Sequence, residues 1–168
     1  MDARRQQGNS VASEDLVMSE KNAELDFDSM DWFAPLLGWP TNIAHVPFNL
    51  SAGPRADSPA SWLEGSNCQR FAYGILALFD LTCPPLRSSD LWEESELTAV
   101  VNNPEPLDLV FFNFSRESYG AHIGVYMAPN EILHLSQEIG RPAVWSFDEF
   151  ATRPRYATIV GFKTVQGN

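Results

Sequence analysis

The chain of 168 residues is long enough for one catalytic domain with a real hydrophobic core. Apolar residues make up 44% and aromatics 12%, with 11 Phe and 5 Trp, which excludes an intrinsically disordered protein. With 22 Asp and Glu against 11 Lys and Arg the formal net charge is -11, and no run of Lys or Arg offsets it, so phosphate backbones and anionic lipid are poor partners.

Two cysteines, Cys68 and Cys83, do not make a disulfide framework in a chain of this size, so at least one free thiol is expected. Near the N-terminus, residues 9–28 hold no apolar stretch of signal-peptide length, and nowhere is there a run long enough to span a membrane. The expected location is cytoplasmic, or outside the cell by a non-classical route.

Residues 1–28 are polar and acidic and read as a disordered tail, with weak helical spacing around Ser13 to Asn22. The rest, 29–168, reads as one folded domain whose motif-bearing core is 61–165. Its first part is an irregular packed lead-in, rich in Trp, Phe and Leu and broken by Pro35, Pro40, Pro47, Pro54 and Pro59. Next, Phe71, Ala72, Ile75 and Phe79 recur at helical spacing behind a Ser66 or Asn67 cap, which puts Cys68 in a first helical turn. Pro84 and Pro85 end that helix, and a second is expected from Ser88 to about Thr98, opened by a serine cap and early acidic residues. Five strands follow: Leu107–Phe114, Ala121–Met127, Glu131–Ser136, Ala143–Phe147 and Tyr156–Thr164. Helices before a run of mostly antiparallel strands predict an α+β fold, the helices packed on a five- to six-stranded sheet.

A helix start offers a thiol both the positive dipole end and free backbone N–H groups, which favour a thiolate and can hold the oxyanion of a tetrahedral intermediate. Cys68 has that position, although a buried structural cysteine is common too. Strand alternation puts His122, Gly124 and Tyr126 on one face, opposite Ala121, Ile123 and Val125. His134 interrupts the apolar strand Ile132-Leu133-His134-Leu135, where a polar ring needs a hydrogen-bond partner. Each histidine alone reads most simply as structural. Together the three form a nucleophile, base and orienter set. Cys83, before two prolines at a helix end, reads as structural, and His45 as a surface or packing residue. A zinc site of Cys68, His122 and His134 is conceivable from residue type, but the usual short ligand spacings are absent, and no metal or cofactor is expected.

The stretches Asn67-Cys68-Gln69-Arg70-Phe71, Leu107-Asp108-Leu109-Val110-Phe111-Phe112, Ala121-His122-Ile123-Gly124-Val125-Tyr126 and Ile132-Leu133-His134 resemble, in order and spacing, the NlpC-type papain-like cell-wall peptidases. The resemblance covers 61–165 and implies a divergent member. It places Cys68, His122 and His134 in the roles of nucleophile, base and orienter. Where the family has Asp-Cys-Ser-Gly this chain has Asn67-Cys68-Gln69-Arg70, and Leu107 stands where a glycine precedes the aspartate. Trp62 is the aromatic residue nearest upstream of the cysteine, where the family carries a tyrosine by the oxyanion region. Asn-Cys-x-x-Phe also resembles lecithin:retinol acyltransferase-like proteins, but there the histidine precedes the cysteine, and here it follows.

The function the resemblance implies is hydrolysis of an amide in bacterial peptidoglycan stem peptides through an acyl-enzyme, with a peptide or peptidoglycan fragment as partner and no nucleic acid. The alternatives are a non-catalytic binding module on the same fold, or a thiol hydrolase or acyltransferase acting on another amide or ester.

Overall fold

A computed structural model describes residues 41–55 and 61–167. The expected acidic tail, its weak helix and the first part of the lead-in lie outside the described residues. In chain order there are a short helix α1 (Thr41–Ala44), a 3-10 turn (Trp62–Glu64), and helices α2 (Cys68–Ala77) and α3 (Ser88–Glu93). Strands β1 (Thr98–Val101), β2 (Leu109–Asn113), β3 (His122–Ala128), β4 (Glu131–Leu135) and β5 (Pro142–Trp145) follow. Helix α4 (Phe147–Ala151), a second 3-10 turn (Pro154–Tyr156) and β6 (Thr158–Val165) complete the order.

The six strands form one sheet in the order β1-β6-β2-β3-β4-β5, and every pairing is antiparallel. The α+β expectation therefore holds, with helices before the sheet. No helix among the described residues is long and apolar enough to cross a membrane.

Two cores follow from strand alternation. On one face, α2 lays Phe71, Ala72, Ile75 and Leu76 against Ile123, Val125 and Leu133. On the other, Val110, Phe112, Ile132 and Trp145 pack with Phe150 of α4 and with Tyr156. On its other side α2 takes the Trp62 ring of the 3-10 turn directly on its backbone, because Gly74 has no side chain: a Cβ there would meet that ring at 2.3 Å. Trp62 is thus a packing residue, edge-on to Phe71 at 5.8 Å, and it does not line the cleft described below.

Three expectations are corrected. Helix α3 stops at Glu93 instead of Thr98. The Glu94 carboxylate accepts from the backbone N–H groups of Glu96 and Leu97 and from the Thr98 hydroxyl, and these local bonds compete with helical ones. Thr98 then opens β1, a strand missed because its four residues are too few to show alternation. The α3 cap is also different: Arg87 is the N-cap and makes no side-chain cap bond. Finally, the segment after Trp145 turns into α4 through a reciprocal capping box between Ser146 and Glu149.

Lys163, in the middle of β6, is almost fully buried and donates to the carbonyls of Leu91, Trp92 and Glu94. A cation at the carbonyl end of a helix is favourable, and this one pins α3 to the sheet.

Candidate active site

Asn67 is the N-cap of α2, its side-chain oxygen accepting from the Arg70 N–H at 2.9 Å. That bond satisfies the third free donor and leaves the N–H groups of Cys68 and Gln69 facing the Cys68 sulfur. The lead-in fixes this start. Asn67 N–H donates to Ala52 O, Ser66 N–H to Pro47 O, and Asn49 N–H to Ser66 O. Residues 47–55 thereby wall the site, a role their proline-broken sequence did not signal.

His122 begins β3, so the neighbouring Ile123 N–H also faces the Cys68 sulfur. Cys68 and His122 line one cleft of about 750 Å³. On the next strand, His134 Nδ1 lies 2.9 Å from His122 Nε2, the rings nearly perpendicular. The three residues singled out from sequence are therefore brought to one end of the sheet, Cys68 and His122 in the cleft and His134 behind. His134 is 1% exposed and His122 8%. Both face the second core, His122 with its ring 4.7 Å from Tyr156, His134 with its ring 4.2 Å from Trp145.

Burial decides the electrostatics. It lowers the His122 pKa to about 3, the Arg155 guanidinium adding to the effect. It also holds His134 well below the usual histidine range, with smaller contributions from His122 and Arg153. For Cys68, desolvation outweighs the N–H groups of Ile123, Gln69 and Cys68 itself, and the thiol pKa is raised. The expectation of a thiolate favoured by the helix start is corrected accordingly: burial works against the charged forms of both Cys68 and His122.

Cys83 is buried and free, its pKa pushed up to about 12 by burial and Glu94, and His45 is exposed in the lead-in. Among the described residues, no three His, Cys, Asp or Glu side chains converge to hold a metal ion, Cys68, His122 and His134 included.

The sequence did not single out Arg155, Tyr156 or Asn113, which also line the cleft. Asn113 holds the loop beside it, donating to the carbonyls of Glu117 and Tyr119 and accepting from the Phe114 N–H. Only the return of β6 beside β2 brings the 154–156 turn to this place.

No family model matches the chain. No curated protein matches it either. Solved structures do. NlpC2 from Trichomonas vaginalis superposes with a TM-score of 0.50 at 12% identity, over 80% of this chain and 46% of that one. NlpC1 from the same organism gives 0.49 at 12%, over 84% and 48%. The NlpC/p60 domain of the peptidoglycan hydrolase SagA gives 0.49 at 16%, over 75% and 91%. The fold is thus that of the NlpC2 structure, in agreement with the sequence resemblance. The chain spans about half the length of the two Trichomonas proteins. Their source also shows that this fold gives no warrant for a bacterial origin.

Proposed function

We propose that the protein is a cysteine hydrolase that cleaves an amide bond, in a peptidoglycan stem peptide as the sequence resemblance implies, with Cys68 as nucleophile, His122 as base and His134 as orienter. The observation that carries this reading is the 2.9 Å contact from His122 Nε2 to His134 Nδ1, behind a histidine that shares its cleft with a helix-start cysteine. A base needs one ring nitrogen free, and the His134 contact leaves Nδ1 of His122 for the thiol.

In this mechanism the substrate carbonyl is attacked by Cys68 Sγ as its proton passes to His122 Nδ1. The N–H groups of Cys68 and Gln69 then stabilise the oxyanion. His122 returns the proton to the departing amine as the C–N bond breaks, and water, deprotonated by His122, hydrolyses the thioester. Because burial disfavours the charged forms of His122 and Cys68, proton transfer accompanies attack instead of preceding it.

The test is mass spectrometry of muropeptides and of simple amide and ester substrates incubated with the wild type and with Cys68→Ala. Cleavage lost in the variant identifies a cysteine hydrolase and its bond. A second reading, a binding module on this fold, is favoured by the raised thiol pKa. It predicts no cleavage by either protein and retained binding of muropeptides by the variant.

A further inference from the structure

A cation is built into the second core behind the histidine pair, away from the residues that line the cleft. Arg153 stands in the short link between α4 and the second 3-10 turn, and its guanidinium carbon lies 3.7 Å from the centroid of the Trp145 indole. Planar stacking and the ring quadrupole favour that arrangement. Two bonds fix it: Nε donates to the Glu138 carboxylate at 2.8 Å, and Nη1 donates to the Glu149 carbonyl at 2.7 Å. The same indole packs against His134, with centroids 4.2 Å apart. Arg153 is therefore within about 8 Å of the His134 ring, across a side chain that is 5% exposed, and water screens that path little. Burial and the His122 ring come first in opposing a proton on His134, and the Arg153 charge adds to them. Of the other charged groups near the pair, Arg155 acts on His122, Asp148 of α4 is exposed, and the Glu149 carboxylate accepts from the Ser146 N–H.

This charge bears on the proton that His122 takes from Cys68. His122 then holds a proton on each ring nitrogen, the one on Nε2 facing His134 Nδ1 at 2.9 Å. Transfer of that proton to His134 would leave His122 a neutral imidazole, a poor acid for the departing amine.

We propose that Arg153 is a positioning residue for the His122–His134 pair: covering Trp145, it holds that ring against His134, and its charge keeps the proton gained in catalysis on His122. This deepens the hydrolase reading and rests on His122 as its base. Glu138 fixes the guanidinium on the indole and tempers its charge.

The experiment labels the histidines of the full chain with nitrogen-15 and follows the ring shifts of His122 and His134 from pH 3.5 to 7.5. Wild type is compared with Arg153→Lys, Arg153→Met and Arg153→Glu. Lysine keeps the charge but loses the planar stack, whereas methionine keeps an apolar cover over Trp145 and loses the charge. Protonation of the pair should set in near the wild-type pH in the lysine variant and about one pH unit higher in the methionine variant. It should set in higher still with glutamate, and the added proton should settle on His134 in both. Packing alone predicts the reverse order, with methionine nearest the wild type, and that order overturns the proposal. Equal onsets, or none within the range in any variant, overturn it as well. Should the glutamate variant fail to fold, lysine against methionine decides. In turnover, Arg153→Met should lower kcat severalfold with KM unchanged, and Arg153→Lys should restore it. The ring shifts are read without substrate, so absence of cleavage in all the proteins counts against the hydrolase reading, while the shifts still decide the role of Arg153.

Discussion

His122 Nε2 and His134 Nδ1 are 2.9 Å apart, so one proton lies between them and its owner decides whether His122 can act as a base. If His122 holds it, His122 Nδ1 is free to accept from Cys68, and the His134 proton sits on Nε2. That nitrogen is buried with no hydrogen-bond partner, against the rings of Trp145 and Phe150. The competent tautomer therefore carries an unsatisfied donor, which costs about 1–3 kcal/mol.

Asparagine at 134 supplies an acceptor without this competition. His134→Asn is expected to keep kcat within about tenfold of the wild type, while His134→Ala, which removes the acceptor, should lose about 10²–10³-fold. Equal losses in the two variants would show that His134 serves packing alone.

The same burial makes stability depend on acid. The His122 pKa is about 3 in the fold against its ordinary 6.5, and that of His134 is lowered as well. Both groups bind fewer protons folded than unfolded in this range. Stability therefore rises with pH between about 3 and 6.5, is full above that window, and is lost as pH falls through it. Each histidine contributes a slope of up to about 1.4 kcal/mol per pH unit, shared because they titrate as a pair. Urea melts from pH 3.5 to 7.5 should show this slope, and His122→Asn should reduce it.

The pattern that was legible in sequence is the local one. Alternation separated His122 and Gly124 from Ile123 and Val125, and the two sets do face different cores. The cap at Asn67 fixed where Cys68 would stand. Hidden were features made by chain segments meeting at long range: Arg55, Arg87 and Arg155 share a cleft only because three loops converge, and Lys163 reads as a solvated strand residue until α3 lies across it. The electrostatic expectation for Cys68 failed for a related reason. A cap predicts the helix dipole, but desolvation depends on what the rest of the chain places over the thiol.

Gly124 allows a close approach of strand β4. A Cβ there would meet Ile132 Cγ2 at 2.5 Å, Leu133 O at 3.2 Å and His134 Cβ at 3.4 Å. Because these atoms belong to the strand that carries His134, Gly124→Ala should both lower stability by about 1–3 kcal/mol and lengthen the contact between the histidines. Thermal melts and kcat are expected to fall together. Retained kcat in a destabilised protein would mean that β4 yields without moving His134.

Leu107 occupies the position where the resembling family has glycine, and its φ is +78°, in the left-handed region that glycine adopts without strain. The register demands it: Leu107 N–H donates to Tyr126 O while Tyr126 N–H donates to Asp108 O, and the Asp108 carboxylate accepts from the Glu105 N–H. The leucine side chain is half-buried against the main core, which offsets part of the strain. Two substitutions separate these effects. Leu107→Gly relieves about 1–2 kcal/mol of strain and forfeits a similar amount of packing, so it should be neutral to within about 1 kcal/mol. Leu107→Ala keeps the strain and loses the packing, and should destabilise by about 1–2 kcal/mol. Chemical denaturation of the three proteins measures the difference, and an alanine variant as stable as the glycine variant would show that the left-handed backbone at 107 carries no cost.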